Sequence, residues 1–300
     1  MRFPLATALF ALSLCAAQDP TVALTFDDLP SADTTDPDVA LRMNQGILLA
    51  LKRFHAPAIG FVNQKMVETL GRKPLRGWQQ NLNLLGNHTY AHLDLNSLTV
   101  AQFQQEVILG EPSLPTHPRW LRFPFNHAGD TAEKQAAVQA FLATRSYRIA
   151  ACTIDNEDYE WSRTHDLLLA QHALDDAGRL RAECLTYTAS KIDYYSELHT
   201  QIFGRPIPHV MLLHINQLNA DTIQQTLEIF KAKHFRFVTL NKAQSDPAYR
   251  TPLPQATAYG PMWGYRWAKA LGIKVDGSRE PSPPEWVLHR RQVSAQQGMF

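Results

Sequence analysis

Beyond its first seventeen residues this chain lacks any long apolar run, so nothing in it reads as a transmembrane helix, which needs about 20 consecutive apolar residues. It also lacks an excess of charge of either sign. Its 29 basic and 28 acidic side chains differ by one, and loss of Arg2 with an N-terminal leader would balance them. A neutral chain carries no electrostatic footprint for nucleic acid and no attraction to an anionic membrane surface. Cysteine is scarce, at three in 300 residues, and no C-x-x-C pair occurs, which excludes a cysteine zinc site and a dithiol redox motif. Cys152 lies in the apolar stretch 149–154 and reads as a buried free thiol, and Cys184 is the other cysteine outside the leader. No internal repeat is present, so the chain is not a solenoid.

The length and a 45% hydrophobic content suit one large α/β domain or two small ones. Arg2, the apolar stretch to Cys15 and the small pair Ala16-Ala17 read as a secretory signal over residues 1–17, which predicts an exported protein starting at Gln18. Leu12-Ser13-Leu14-Cys15 offers the alternative of a lipid anchor, although Leu14 stands where a small residue is usual. From residue 21 to residue 240, strand-like runs alternate with helical patterns, the mark of βα units around a parallel sheet. Strands are expected at 22–26, 58–62, 119–123, 147–154, 210–214 and 235–240. Helices are expected at 37–54, at 166–175 and 179–203, and up to residue 142 behind a capping box, Asp130-Thr131-Ala132-Glu133. The tail beyond residue 245 is rich in Pro, Gly and aromatics, with a short helix at 265–271. It reads as a strap on the main body.

Two segments carry the chemistry. Thr25-Phe26-Asp27-Asp28 follows an apolar strand, and His88-Thr89-Tyr90-Ala91-His92 sets two imidazoles four residues apart. On a helical turn that spacing lets both rings reach one divalent ion, and an oxygen ligand completes a facial triad. If Asp28 is that ligand, Asp27 is left beside a metal-activated water as its base. Three further segments follow in order: Leu121-Arg122-Phe123-Pro124-Phe125, Thr153-Ile154-Asp155-Asn156-Glu157-Asp158-Tyr159 and Met211-Leu212-Leu213-His214. Most of these segments stand just after strand-like runs, the end at which parallel α/β barrels keep their active sites.

In this order the five segments closely resemble the motifs of the polysaccharide deacetylases, carbohydrate esterase family 4 with its NodB-like homology domain, over residues 25–214. The resemblance implies an α/β fold, a distorted (β/α)7 barrel over 18–245 with a C-terminal strap over 246–300. It implies one divalent metal ion on Asp28, His88 and His92; zinc suits this donor set, and cobalt, nickel or manganese would fit it too. It further implies Asp27 as base, Arg122 holding that base, the Phe125 N–H in the oxyanion hole, and His214 as acid with an aspartate partner. Between Asp155 and Asp158 the strand-end position favours Asp155. The partner implied is an N-acetylated glycan, with the oligomeric state left open. Leu29 and Asn126 stand where glycines are common in the family, and Tyr159 replaces a tryptophan, so the groove wall differs. An amidohydrolase acting on a non-sugar amide, and a glycan-binding protein with a vestigial site, are the rival readings.

Overall fold

The computed structural model of the protein describes residues 19–79, 84–116, 119–252 and 256–288. The leader read at residues 1–17 lies outside them. In chain order the elements are β1 (Thr21–Leu29), α1 (Pro37–Arg53), β2 (Ala58–Val62), α2 (Gln64–Leu70), α3 (Lys73–Trp78), β3 (Leu84–Asn87), α4 (Val100–Leu109), β4 (Arg119–Leu121), α5 (Ala132–Thr144), β5 (Tyr147–Ile149), β6 (Ile154–Asp155), α6 (Asp158–Ala170), α7 (Leu174–Phe203), β7 (His209–His214), α8 (Gln217–Ala232), β8 (Arg236–Phe237), α9 (Leu240–Ala243) and α10 (Trp263–Ala270).

Seven strands form one curled parallel sheet in the order β5-β4-β3-β2-β1-β7-β6, and β8 adds to the first residues of β1. This is the distorted (β/α)7 barrel that the motifs imply. β1 runs through its middle with almost every residue buried, as a strand covered on both faces must be. Phe26, Leu24 and Val22 pack with Trp78, Ile47 and Leu227 in the largest apolar cluster. Trp78 donates its Nε1–H to Asn44 Oδ1 at 2.8 Å, and Asn44 Nδ2 donates to the Pro30 carbonyl at 2.8 Å. The buried α1 side chain thereby fastens the loop that leaves β1.

The single strand expected at 147–154 is two. Residues 147–149 pair with β4 and residues 154–155 pair with β7, so the chain changes partner at the barrel's seam. Gln244 closes part of that seam, accepting from Ala151 N and donating to the Ile149 carbonyl. The strand expected at 235–240 shrinks to β8, because Thr239 caps α9 and turns the backbone helical. β3 was not foreseen. Its Leu-Leu-Gly-Asn sequence has no β-branched residue and no alternation. The helix after residue 130 is capped by Thr131, whose hydroxyl accepts from Lys134 N at 3.1 Å, while Asp130 pairs with Lys134. α6 opens at Asp158, eight residues before the expected start.

The strap lies along α7. Lys191, 1% exposed, meets Glu280 and Glu157, and Tyr195 and Tyr265 both donate hydroxyl protons to Glu280. Trp267 is fully buried against His199, Phe203, Tyr249 and Trp263.

Beneath that strap the His199 and His209 rings meet at a tilt, with centroids 5.2 Å apart. Burial pushes both imidazolium pKa values down, His209 to about 4, so both rings are neutral in the fold. Unfolded, each would titrate near the ordinary 6.5 and bind a proton first. Their contribution to stability is therefore complete above pH ~6.5 and is lost as pH falls toward 4. The buried Asp155, raised to about 7, acts in the opposite sense. A variant comparison isolates the histidine: unfolding free energies of wild type and His209→Gln, from urea titrations, should converge as pH drops from 7 to 4.5, by up to about 3 kcal/mol. A constant difference across that range would show that His209 does not titrate on unfolding.

Candidate metal centre and acid–base site

The strand ladders bring the motif residues to one end of the sheet. Asp27 pairs in register with His214 of β7, His88 follows the last residue of β3, and Arg122 follows β4. The Ile215 N–H donates to the Asp27 carbonyl, the His88 N–H to the Val62 carbonyl and the Arg122 N–H to the Asn87 carbonyl, so each ladder continues into the site. Asp27, His88 and His214 line a cleft of about 470 Å³ together with Asp28, His92, Phe125, Asp155 and Tyr159, and Arg122 stands behind Asp27.

Asp28, His88 and His92 come together as the sequence leads one to expect, by a different route. Residues 88–92 are an irregular loop rather than a helical turn, with Thr89 at φ 68° and His92 at φ 55°. The left-handed residues fold the loop back so that the two rings sit 4.8 Å apart, edge to face. The His88 Nδ1–H donates to the Arg122 carbonyl at 2.9 Å, which leaves the Nε2 lone pair facing the carboxylates. Burial pushes the His88 pKa far down, so that ring is neutral and able to ligate.

The spacings suit an ion. His88 Nε2 and His92 Nε2 stand 3.6 and 3.5 Å from Asp28 Oδ1, too far for good hydrogen bonds. Ligand bonds of about 2.0–2.2 Å at near-tetrahedral angles put donor atoms roughly 3.0–3.6 Å apart. One donor atom from each residue lies within 4.8 Å of the other two, the one such grouping among the described residues.

Asp27 is 4% exposed, and its Oδ1 has no hydrogen-bond partner among the described residues. Its Oδ2 lies 3.4 Å from Arg122 Nη1, the pairing that the resemblance implies. Burial raises the Asp27 pKa to about 6 against the lowering effect of Arg122 and His214. Arg122 is fixed by Thr25 Oγ1 at 3.0 Å, the Ala151 carbonyl at 3.3 Å and the Phe61 ring.

His214 has a carboxylate partner, and it is Asp158 rather than the favoured Asp155. His214 Nδ1 lies 2.6 Å from Asp158 Oδ1, and the His214 N–H donates to Oδ2 at 2.8 Å. Asn216 and Asn219 donate to the same Oδ2. Asp155 instead accepts from the Glu157 N–H at 2.7 Å, capping the turn into α6 and walling the cleft. The physical reason is the early start of α6, whose first residue, Asp158, points from the helix start at the end of β7. Burial works against charge on both partners. The ion pair overrides it, raising the His214 pKa to about 10 and holding Asp158 below its ordinary value.

Phe125, at φ 57°, presents its ring to solvent beside His92 at 4.7 Å. Tyr159, in the position of the family's tryptophan, meets His214 edge to face at 5.8 Å. Asp33, Ser162, Asn216 and Gly260 also line the cleft. Ser162 Oγ donates to Asp33 Oδ2 at 3.0 Å. None of these four carries a spacing signal in the sequence.

Comparison with known proteins points to the same family as the motifs. Residues 16–141 match the family model described as polysaccharide deacetylase. The chain is thus similar to the polysaccharide deacetylases, the resemblance that its five motifs carry. A chitin deacetylase from Arthroderma benhamiae is 30% identical over 146 residues, covering 47% of this chain and 35% of that protein. The chain thus aligns with about a third of that relative's length. Among solved structures, the peptidoglycan N-acetylglucosamine deacetylase Bc1960, in complex with an N-hydroxybenzamide, superposes with a TM-score of 0.52 at 20% identity, over 74% of this chain and 87% of that one. A mutant of the peptidoglycan deacetylase PdaC from Bacillus subtilis superposes with a TM-score of 0.50 at 16% identity, over 77% and 93%. At these identities the two superpositions speak for the fold.

The purified protein should bind one divalent ion per chain, and His88→Ala combined with His92→Ala should abolish binding in elemental analysis after dialysis. Full occupancy in the double variant would remove the assignment.

Proposed function

We propose that the protein is a metal-dependent deacetylase that hydrolyses the N-acetyl groups of a glycan. One observation carries this reading. A donor triad for a divalent ion, a buried carboxylate oxygen with no partner among the described residues and a carboxylate-held imidazolium all face one cleft.

Hydrolysis of an acetamide needs a deprotonated water, a home for the oxyanion and a proton for the departing amine. A divalent ion on Asp28, His88 and His92 would supply Lewis acidity toward the acetyl carbonyl and toward water. Asp27 takes the proton from the attacking water. Its raised pKa makes it a stronger base than an ordinary carboxylate, and Arg122 holds it in place. The Phe125 N–H receives the oxyanion that develops as the carbonyl carbon becomes tetrahedral. His214, protonated through its pairing with Asp158, passes the Nε2 proton to the amine nitrogen as the C–N bond breaks. The products are acetate and a free amino sugar. Zinc is the proposed ion, and the proposed setting is outside the cytoplasm, after removal of residues 1–17. No helix among the described residues is long and apolar enough to cross a membrane. We further propose that the deacetylase unit spans 18–245 and that 246–300 is an extension of it.

Acetate release measured across chitin oligosaccharides, peptidoglycan, acetylated xylan and bacterial exopolysaccharide tests the reading. Absence of release from all of them by the metal-loaded protein would overturn it. Asp27→Asn should retain the ion and lose turnover by roughly 10²–10⁴-fold, the range for a general base. Near-normal turnover would remove that role. His214→Ala should lose much more activity on an N-acetylglucosamine substrate than on an aryl acetate, because a phenolate leaves without protonation and an amine does not. Equal losses on both substrates with unchanged folding would rule out a leaving-group acid.

A further inference from the structure

Asn126 occupies a position where the related deacetylases commonly have glycine, yet its backbone keeps the conformation that glycine favours. Phe125 and Asn126 are consecutive left-handed residues, at φ 57° and 55°. Asparagine tolerates this region better than most residues and phenylalanine does not, so the turn needs external support.

That support comes from the C-terminal strap, about 140 residues away in sequence. Arg266 Nη2 donates to the Asn126 carbonyl at 2.6 Å, and Arg266 Nε donates to the Pro261 carbonyl of the strap itself at 2.9 Å. One rigid guanidinium therefore spans the strap and the turn. Arg266 is 3% exposed, and its guanidinium donates to carbonyls, with no ion pair to a carboxylate among the described residues. A buried cation used only on carbonyls is costly to keep, which argues for a specific task. Cys152 Sγ reaches Asn126 Oδ1 at 3.1 Å. Trp263 N donates to the Cys152 carbonyl and Thr257 N to the Gly129 carbonyl, anchoring the strap on both sides of the crossing. At the crossing, a Cβ on Gly260 would stand 1.9 Å from the Phe125 carbonyl oxygen, so only glycine lets the strap lie this close. Gly260 is also part of the cleft wall.

We propose that Arg266 is a positioning residue for catalysis, assisted by Gly260: together they lock the Phe125–Asn126 turn so that the Phe125 N–H is aimed into the cleft. The inference rests on the reading of that N–H as the oxyanion donor. Glycine at position 126 would make the turn easy to form and easy to lose; asparagine under a strap makes it rigid. Arg266 touches neither substrate nor ion and acts through the Asn126 carbonyl.

Two measurements on the full chain test this. In steady-state kinetics, Arg266→Ala should lower kcat by roughly 10–100-fold, less than removal of a whole oxyanion donor, with KM changed less than about threefold and one ion per chain retained. Arg266→Lys, whose ammonium can reach one of the two carbonyls, should recover part of the loss, and Gly260→Ala should reproduce the same kcat-against-KM split. In fluorine NMR, 4-fluorophenylalanine introduced at position 125 reports on the turn directly, because that ring packs on His92. Its resonance should shift or broaden in Arg266→Ala and Gly260→Ala. An unchanged resonance in both would overturn the proposal, as would a rise in KM or a loss of the ion at unaltered kcat. If Arg266→Ala does not fold, Arg266→Lys and Gly260→Ala carry the comparison. A wild type that releases no acetate would instead sink the deacetylase reading, while the fluorine signal still decides whether the strap holds the turn.

Discussion

The parallel pairing of β1 with β7 is the constraint on which the rest of this molecule depends. It sets Asp27 directly across from His214, and the two are the last pair in the ladder. Because side chains alternate faces along a strand, a slip of one residue would turn Asp27 away from the cleft and Phe26 into it. The core guards against that slip. Val22, Leu24 and Phe26 are buried in the main apolar cluster, and the face that packs them also determines which way Asp27 points. β2 and β3 then set the distance to His88, and β4 the distance to Arg122. Hydrophobic burial along the strands is thus converted into polar geometry at their ends.

Two carboxylates in this site have the same chemistry and opposite surroundings. Asp158 is saturated: it accepts from the His214 ring, the His214 N–H, Asn216 and Asn219, and its pKa is held down. Asp27 keeps one buried oxygen unpartnered among the described residues and has its pKa raised to about 6. A saturated carboxylate is suited to hold a cation in place, and an unsaturated one to accept a proton. Environments that push like groups apart in this way are how a single fold divides acid and base work.

The order of motifs made the family legible because the donor residues are close to one another in sequence within each segment. Helix α1 and strands β1, β2 and β7 were legible from apolar patterning. What escaped were features decided by distant parts of the chain. The split of residues 147–154 into β5 and β6 follows from where β4 and β7 end, which no local pattern records. The loop at His88–His92 shares its spacing with a helix, and only the left-handed Thr89 and His92 distinguish the two. Asp155 and Asp158 could not be separated without knowing that α6 begins at Asp158. The contact between Arg266 and Asn126 joins residues 140 positions apart and leaves no trace in either neighbourhood.

The polar cluster under the strap bears on how this protein could change over evolution. Lys191 is sealed among Glu280, Glu157 and the rings of Tyr187 and Tyr195, and Glu157 belongs to the loop between Asp155 and Asp158. Exchanging the tail for an unrelated domain would strip Lys191 of Glu280, its nearest carboxylate, and loosen a segment that borders the cleft. The tail is therefore not a detachable appendage of the kind that recombination shuffles freely. It is tied to the barrel by a charge that water cannot easily reach, so the two are bound to diverge together.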